Sequence, residues 1–239
     1  MWILIWEMAY RSSGEYSYGF KPPKDVFTAF WTGVCDLSFL KALGASLVRA
    51  GYGFLLSVLI GVVVGVTITS SRFAQWLIGP LVLGVQSLPS ICWMPLAILT
   101  FENKNSMILF VVLMGSIGSI VIATRDGLKQ VPLTYQRVAS TFGASYWQRM
   151  FWVYIPSALP VFISGLKQGW SFAWRSLLAG ELIQNVIGIG SELENARNAS
   201  NYSRLFATMI LILLASTFVD KVLFSNLERR VRARWGMAG

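Results

Sequence analysis

Histidine is absent from the 239-residue chain, and cysteine occurs only at Cys35 and Cys92. Without histidine there is no imidazole general base, no Ser–His or Cys–His nucleophile pair and no histidine metal ligand. The two cysteines are far apart and form no Cys-x-x-Cys motif, so the sequence predicts neither a disulfide framework nor a zinc knuckle. We therefore predict no catalytic residue and no metal site in this chain.

Charged residues are also scarce. They make up 13% of the chain, about half of the roughly 25% that is usual in soluble domains. Hydrophobic residues make up 55%, and the mean hydropathy is +0.58, which indicates a protein that crosses a membrane several times and contacts lipid. The net charge of +9 does not indicate nucleic-acid binding, because the aromatic residues lie in apolar runs and not among basic residues.

Five stretches are apolar and long enough to cross a bilayer, which takes about 20 residues. They cover residues 51–69, 77–101, 107–123, 159–187 and 205–223. The second stretch contains Pro80, Pro89 and Pro95, which a span tolerates only where neighbouring protein pairs the freed carbonyl groups. Residues 2–10 are apolar but too short to cross, so they form either an incomplete first helix or an interfacial one. They lack the basic start and cleavage site of a signal peptide.

The remaining regions complete one all-α domain over residues 1–239. Between the short N-terminal segment and the first long stretch, residues 11–23 indicate a polar loop and 25–40 a short amphipathic helix. We predict a partial first helix, outer loop and amphipathic helix over 1–40, a helical core over 41–225 with a cytoplasmic loop at 125–156, and a basic tail over 226–239. The predicted fold class is a polytopic membrane helix bundle of five to six transmembrane helices.

Lysine and arginine give the predicted orientation, because short cytoplasmic loops of membrane proteins are enriched in these residues. One basic cluster lies in the segment 125–149 and a second lies in the tail. Their members are Arg125, Lys129, Arg137, Arg149, Arg229, Arg230, Arg232 and Arg234. Two apolar stretches separate the clusters, so both can lie on one side. We expect a multi-pass protein with a cytoplasmic C-terminus.

The segment that follows residue 123 has too many structural signals for a simple linker. Pro132 can open a short helix over 133–142, and Gly143 can end it in a left-handed conformation. Ser145 and Gln148 can form a capping box for the next helix. Such a short, half-apolar helix either docks on a partner protein or lies on the lipid surface.

This segment contains Arg137-Val138-Ala139, Gly143 and Val153-Tyr154-Ile155-Pro156. Together these residues resemble the EAA motif in the permease subunits of bacterial ATP-binding-cassette (ABC) importers. The spacing of the motif matches at Ala139, Gly143 and Pro156, with conservative replacements at Val138, Val153 and Ile155. Arg137 departs from the family pattern, which usually has glutamate at this position. Other segments, among them Leu88-Pro89 and Ala179-Gly180-Glu181, extend the resemblance over nearly the whole chain, to the branch that carries nitrate, sulfonate, taurine or bicarbonate.

This resemblance implies a type I ABC importer permease with six helices and a cytoplasmic coupling helix, in a prokaryotic inner membrane. The implied partners are a second permease subunit in a homodimer, two ABC ATPase subunits that bind ATP and Mg, and an extracytoplasmic solute-binding protein. The sequence contains no GxxxxGK[ST] phosphate-binding loop, as expected of a permease that is not itself an enzyme and holds no cofactor. The residues expected to contact the ATPase are Arg137, Val138, Ala139, Phe142 and Gly143.

Charged and polar residues within 159–187 indicate the translocation pathway, because ionisable groups in a membrane are costly and serve a pathway or an ion pair. On a helix, Gln168, Ser171 and Arg175 lie close to one face, and Lys167, Trp174 and Glu181 lie on another. A cation on a pore face suits an anionic substrate. The candidate pathway residues are Gln168, Ser171, Arg175, Glu181, Gln86 and Ser90. Alternatively, Arg175 pairs with an acid on another helix, and Glu181 is a structural hydrogen-bonding group.

Two other functions stay open at this level. A stand-alone secondary transporter or channel for a small anion would work without an ATPase and would need a site for a coupling ion. Glu181 and Asp220 are the obvious intramembrane acids for such a site. A membrane-embedded enzyme would need clustered acid–base groups or metal ligands, which the absence of histidine disfavours.

Overall fold

A computed structural model describes residues 2–12 and 19–234, with side chains for residues 4–12 and 19–231. Within these residues the chain is helical and contains no strand, so the predicted all-α class is confirmed. Residues 13–18 of the predicted polar loop and residues 235–239 of the predicted tail lie outside the described residues, as do the side chains of Arg232 and Arg234 in the second basic cluster.

The helices follow one another along the chain with short connections. They are α1 (Trp2–Ser12), α2 (Pro23–Cys35), α3 (Ser38–Ser70), α4 (Arg72–Ser87), α5 (Met94–Thr100), α6 (Lys104–Lys129), α7 (Leu133–Thr141), α8 (Tyr146–Arg149), α9 (Ile155–Gln184), α10 (Ile189–Asn198), α11 (Tyr202–Val219) and α12 (Asn226–Arg234). A 3-10 turn over Ser90–Trp93 precedes α5. Two π-helical turns, Met150–Tyr154 and Asp220–Ser225, join α8 to α9 and α11 to α12.

Four helical segments of the described chain are long and apolar enough to cross a membrane. They are Ser38–Ser70, Lys104–Lys129, Tyr146–Gln184 and Tyr202–Val231. A fifth candidate consists of α4 and Ser90–Thr100, which together bend by 106° at the break between them. These five segments match the five stretches predicted from hydropathy, although the predicted stretches 77–101 and 159–187 extend one and three residues past the ends of their segments. With 11 residues, α1 is too short to cross.

The amphipathic helix predicted over 25–40 is shorter in the structure. It ends at Cys35, because Leu37 adopts a left-handed conformation with a φ of 61°. The Asp36 carboxylate accepts a hydrogen bond from the Ser38 amide at 2.8 Å, and hydrogen bonds from Ser38 lower the pKa of the Asp36 carboxyl below its ordinary value. A charged carboxylate favours a helix N-terminus, so α3 begins at Ser38.

The central helix of the bundle is α6, which packs between α3 and α9. Glycine residues allow the close approach. A Cβ atom added at Gly165 of α9 would lie 1.9 Å from the Ala123 Cβ, and one added at Gly61 of α3 would lie 2.8 Å from the Ile120 Cγ2. Small residues at helix contacts are typical of membrane bundles. Elsewhere on its surface α3 exposes apolar side chains that suit contact with lipid, among them Val48, Leu55, Leu59 and Val63.

A Gly165→Val substitution is expected to force α9 away from α6. The free energy of unfolding should fall by about 1–3 kcal/mol, the usual cost of overpacking, and the Tm of the purified protein in detergent should fall with it. Gly51→Val is the matched control, because Gly51 is also helical and a Cβ there meets open space. Equal Tm values for the two variants would contradict the close packing of α6 and α9.

Candidate functional site

Backbone geometry at Gly143 ends α7 as the sequence predicts. Gly143 is left-handed, with a φ of +69°. Its amide donates to the Ser140 carbonyl, and the Ala144 amide donates to the Ala139 carbonyl, both at 3.0 Å. This hydrogen-bond pattern is the Schellman motif, which satisfies the last carbonyl groups of a helix. The helix itself ends at Thr141, one residue before the predicted boundary.

The signals predicted for the helix starts are present too. Pro132 lies directly before the first residue of α7, so it is the N-cap and not the first helical residue. Before α8, the Gln148 amide donates to the Ser145 hydroxyl at 3.3 Å, and the Ser145 amide donates to the Gln148 side-chain oxygen at 2.8 Å. The predicted capping box is therefore confirmed.

Side-chain hydrogen bonds attach α7 to the segment that leads into α9. The Tyr154 hydroxyl donates to the Gln136 side-chain oxygen at 3.1 Å, while the Gln136 side-chain nitrogen donates to the Val131 carbonyl at 3.0 Å. The Arg149 guanidinium donates to the Ser140 hydroxyl at 3.3 Å. These contacts hold α7 at a fixed position relative to the start of α9.

The predicted ATPase-contacting residues lie on the outer side of α7 and at its end. Arg137, Val138, Phe142 and Gly143 are exposed, and Ala139 is half-buried; the Phe142 side chain is 86% exposed. Sequence reasoning missed several other exposed apolar residues nearby, which are Leu133, Tyr135, Tyr146, Trp147, Phe151 and Trp152. A concentration of exposed aromatic residues marks a surface that contacts protein or lipid.

A second candidate site is a cavity of about 350 Å³ at the break between α4 and α5. Its lining includes Gln86, Ser90 and Arg175, three of the six residues predicted for the pathway. Gly115 of α6 leaves room for it, because a Cβ there would lie 2.0 Å from the Ser176 Oγ and 3.0 Å from the Ser90 Cβ. The helix break, α6 and α9 thus meet around one cavity whose lining mixes polar and apolar side chains.

The Arg175 side chain is exposed in this cavity. Its guanidinium donates to the Ser171 hydroxyl at 3.0 Å and lies 5.4 Å above the Phe172 ring centroid. Within the described part of the chain, no carboxylate forms an ion pair with Arg175. Among these residues the positive charge therefore lies open to the cavity.

The two other predicted residues on this face of α9 line a neighbouring cavity. Gln168 and Ser171 border a space of about 440 Å³, together with Lys167 and Asp220. Lys167 and Asp220 form an ion pair of 3.1 Å between Nζ and Oδ2. Because Ser171 also accepts the hydrogen bond from Arg175, it lies between the two cavities.

Glu181, the sixth predicted residue, is fully buried and does not contribute to the wall of the cavity that contains Arg175. Arg49 forms an ion pair with it. The Ser46 hydroxyl lies 2.9 Å and 2.8 Å from its two carboxylate oxygens, and the Gly190 amide donates to one of them at 3.0 Å. This arrangement pairs both oxygens of the carboxylate.

The network around Glu181 also joins several helices. The Arg49 guanidinium donates to the Asn105 side chain at 3.0 Å and to the Ile187 carbonyl at 3.1 Å, so it links α3, the start of α6 and the turn after α9. Sequence reasoning missed Arg49, Ser46 and Asn105. The available signal was Arg49 itself, a charged residue in the apolar sequence just before the predicted stretch 51–69.

Comparisons with known proteins agree with this architecture. Residues 57–233 match the family model described as binding-protein-dependent transport system inner membrane component. A nitrate import permease, NrtB of Synechocystis sp., is 29% identical over 76% of this chain and 67% of its own length. A bicarbonate transport system permease, CmpB of Synechococcus elongatus, is 26% identical over 74% of this chain and 64% of its own length. The chain thus spans about two thirds of the length of these relatives.

Two solved structures share the fold. A chain of the MetNI methionine ABC transporter in an inward-facing conformation has a TM-score of 0.69 at 16% identity, covering 82% of this chain and 95% of that one. A chain of an amino acid ABC transporter with histidines has a TM-score of 0.68 at 15% identity, covering 84% and 98%. Both confirm the importer-permease fold. Since the family model matches well over half of the sequence, the chain belongs to the inner membrane components of binding-protein-dependent transport systems.

Proposed function

We propose that this chain is the membrane-spanning permease subunit of an ATP-driven importer for a small anion of the sulfonate, nitrate, taurine or bicarbonate class. An external binding protein delivers the anion, which then crosses by alternating access. The observation that carries the proposal is the exposed Arg175 in the cavity beside the helix break, which forms no ion pair with any carboxylate of the described residues. The chain also resembles permeases that are named for nitrate and bicarbonate, and these names support a negatively charged substrate.

A polar stripe on α9 supports a pathway along this helix. Its members are Ser164, Lys167, Gln168, Ser171 and Arg175, which lie within about 100° of one another at the helical repeat of 3.6 residues. All five are exposed or half-buried. Polar side chains in the middle of a span do not face lipid. The stripe therefore faces water or a second permease subunit, which supports a homodimer with a pathway between its subunits.

The surface of α7 supports an ATPase partner. Val138 and Phe142 are apolar and exposed, and a short amphipathic helix of this kind suits a groove on another protein. In such an assembly the ATPase subunits bind ATP and Mg and hydrolyse the nucleotide. The basic residues around α7 and in α12 support a cytoplasmic position of both segments, on the inner side of a prokaryotic inner membrane.

The two intramembrane acids favour the importer over a stand-alone transporter. Glu181 is paired with Arg49, and Asp220 is paired with Lys167. A carboxylate that is already neutralised by a basic group binds a coupling cation poorly. An external energy source, the ATPase, removes the need for such a cation.

The experiment that tests this function is uptake of labelled nitrate, bicarbonate, sulfonate and taurine by proteoliposomes that contain the chain, its ATPase and its binding protein. Arg175→Ala should lower ATP-dependent uptake roughly 10- to 100-fold, because a lost charge-assisted hydrogen bond costs about 1.5–3 kcal/mol. Assembly with the ATPase should be unchanged. Arg175→Lys, the matched control that keeps the charge, should retain most of the uptake.

Two results would contradict the proposal. Full uptake by Arg175→Ala would remove the role of the cation. Uptake by liposomes that contain this chain alone, without ATPase or ATP, would favour the stand-alone transporter.

A further inference from the structure

The ion pair between Lys167 and Asp220 lies in an unusual place. Lys167 belongs to α9 and Asp220 to the π-helical turn after α11. Both lie well inside their spanning segments, and their side chains are 40% and 39% exposed. An intramembrane pair that only joined two helices would be expected to be buried between them, as Arg49 and Glu181 are, with 13% and 0% of their side chains exposed. The Lys167–Asp220 pair instead opens into a cavity of about 440 Å³.

The cavity beside Lys167 is continuous with the polar stripe that carries Arg175. Ser171 borders this cavity and accepts the hydrogen bond from the Arg175 guanidinium. Gln168 and Ser164 supply further polar groups to its wall. Lys167 and Arg175 are eight positions apart, which corresponds to about 12 Å along a helix. Lys167 is the nearer of the two cations to α7.

The two cations differ in how they are neutralised. Within the described residues Arg175 has no carboxylate partner, whereas Lys167 has Asp220. A guanidinium without a counter-ion attracts an arriving anion directly. An anion can bind Lys167 only in competition with Asp220, and the long, flexible lysine side chain allows the ammonium to exchange one partner for the other.

We propose that Lys167 is a second anion-binding site on the translocation pathway and that Asp220 is its internal counter-ion, which keeps the site weak enough to release the anion toward the α7 side. This inference rests on the proposed function. A conducting pathway needs sites that bind well enough to accept an ion and weakly enough to let it leave. A lysine without a counter-ion would hold a small anion too long in the low dielectric of the membrane.

The decisive variant is Asp220→Asn, tested on the complete assembly with its ATPase. Nitrate is the probe, because a freed ammonium attracts any small monovalent anion. We expect Asp220→Asn to bind labelled nitrate tighter than the wild type by roughly tenfold or more, and its maximal uptake rate to fall. Lys167→Gln combined with Asp220→Asn should bring nitrate affinity back to the wild-type value. Unchanged nitrate affinity in Asp220→Asn overturns the inference.

Matched controls separate this effect from a loss of packing. Asp220→Glu keeps the charge and should keep the wild-type affinity. Glu192→Gln breaks the half-buried pair between Glu192 and Arg204, 2.8 Å apart and away from the stripe, and should leave nitrate affinity unchanged. Tighter binding in this control as well would overturn the inference.

A further variant and a comparison with the wild type complete the test. If Asp220→Asn does not assemble, Lys167→Gln decides: a several-fold lower maximal rate at an unchanged half-saturating concentration supports the site, and an unchanged rate overturns it. Failure of the proposed function has a different signature, because the wild-type assembly would then import none of the anions, whatever the nitrate affinities of the variants.

Discussion

Glu181→Ala is expected to leave little folded protein. The substitution removes a fully buried carboxylate that pairs with Arg49, accepts from Ser46 and binds the Gly190 amide. Removing one partner of a buried ion pair costs about 3–5 kcal/mol, because the other charge stays buried without compensation. That is a large part of a total stability of about 5–15 kcal/mol. The yield of monodisperse protein in detergent and its Tm measure the effect.

Two controls define the cause of this loss. Glu102→Ala removes an exposed carboxylate and should change the free energy of unfolding by about 0.5 kcal/mol or less. The double variant Arg49→Met with Glu181→Met replaces the pair by apolar side chains and should recover much of the lost stability, since apolar pairs often replace buried ion pairs without cost. Wild-type stability of Glu181→Ala would show that the network around Glu181 does not hold α3, α6 and α9 together.

Phe142→Glu is expected to separate ATP hydrolysis from transport, or to release the ATPase altogether. Phe142 is 86% exposed at the end of α7, so the permease itself loses no packing. If the side chain fills a groove on the ATPase, a charge there should cost at least about 2 kcal/mol, the level of an interface hot spot, which is roughly a 30-fold loss of affinity. Co-purification of the ATPase and the ratio of transported solute to hydrolysed ATP measure the effect.

Phe142→Leu is the matched control for Phe142→Glu. Leucine keeps an apolar side chain and should keep the ATPase bound. Gly143→Val tests the backbone separately: a Cβ there meets no neighbouring atom, so any loss comes from the left-handed φ of +69°, which a β-branched residue adopts only at a cost. Normal transport by Phe142→Glu would mean that α7 does not contact the ATPase.

Local signals in the sequence were enough to predict the ends of the helices near α7. The turn at Gly143 and the capping box of Ser145 and Gln148 depend only on residues within a few positions of one another. The helix stripe of Gln168, Ser171 and Arg175 follows from the helical repeat alone. Hydropathy likewise predicted all five long segments, because each is apolar over its own length.

Contacts between distant residues could not be predicted in the same way. Arg49 and Glu181 are 132 positions apart, and no local pattern indicates that they meet. Hydropathy predicted that the first long stretch begins at residue 51, whereas α3 begins at Ser38. The helix can include Arg49 because this arginine is paired with Glu181. The 106° bend between α4 and α5 and the pairing of Lys167 with Asp220 likewise depend on neighbours that only the folded chain provides.

The helical segment from Tyr146 to Gln184 is unbroken over 39 residues, which makes it about 58 Å long. Hydrogen bonds from Tyr154 and Arg149 connect its N-terminal part to α7. Arg175 lies in the C-terminal half of the same helical segment. A tilt of its first turns is therefore carried along the helix toward both cations, and the wide turn at Met150–Tyr154 and Pro160 are the places where this helix can bend. If α7 contacts an ATPase as proposed, the position of that ATPase and the width of the passage along α9 are expected to change together.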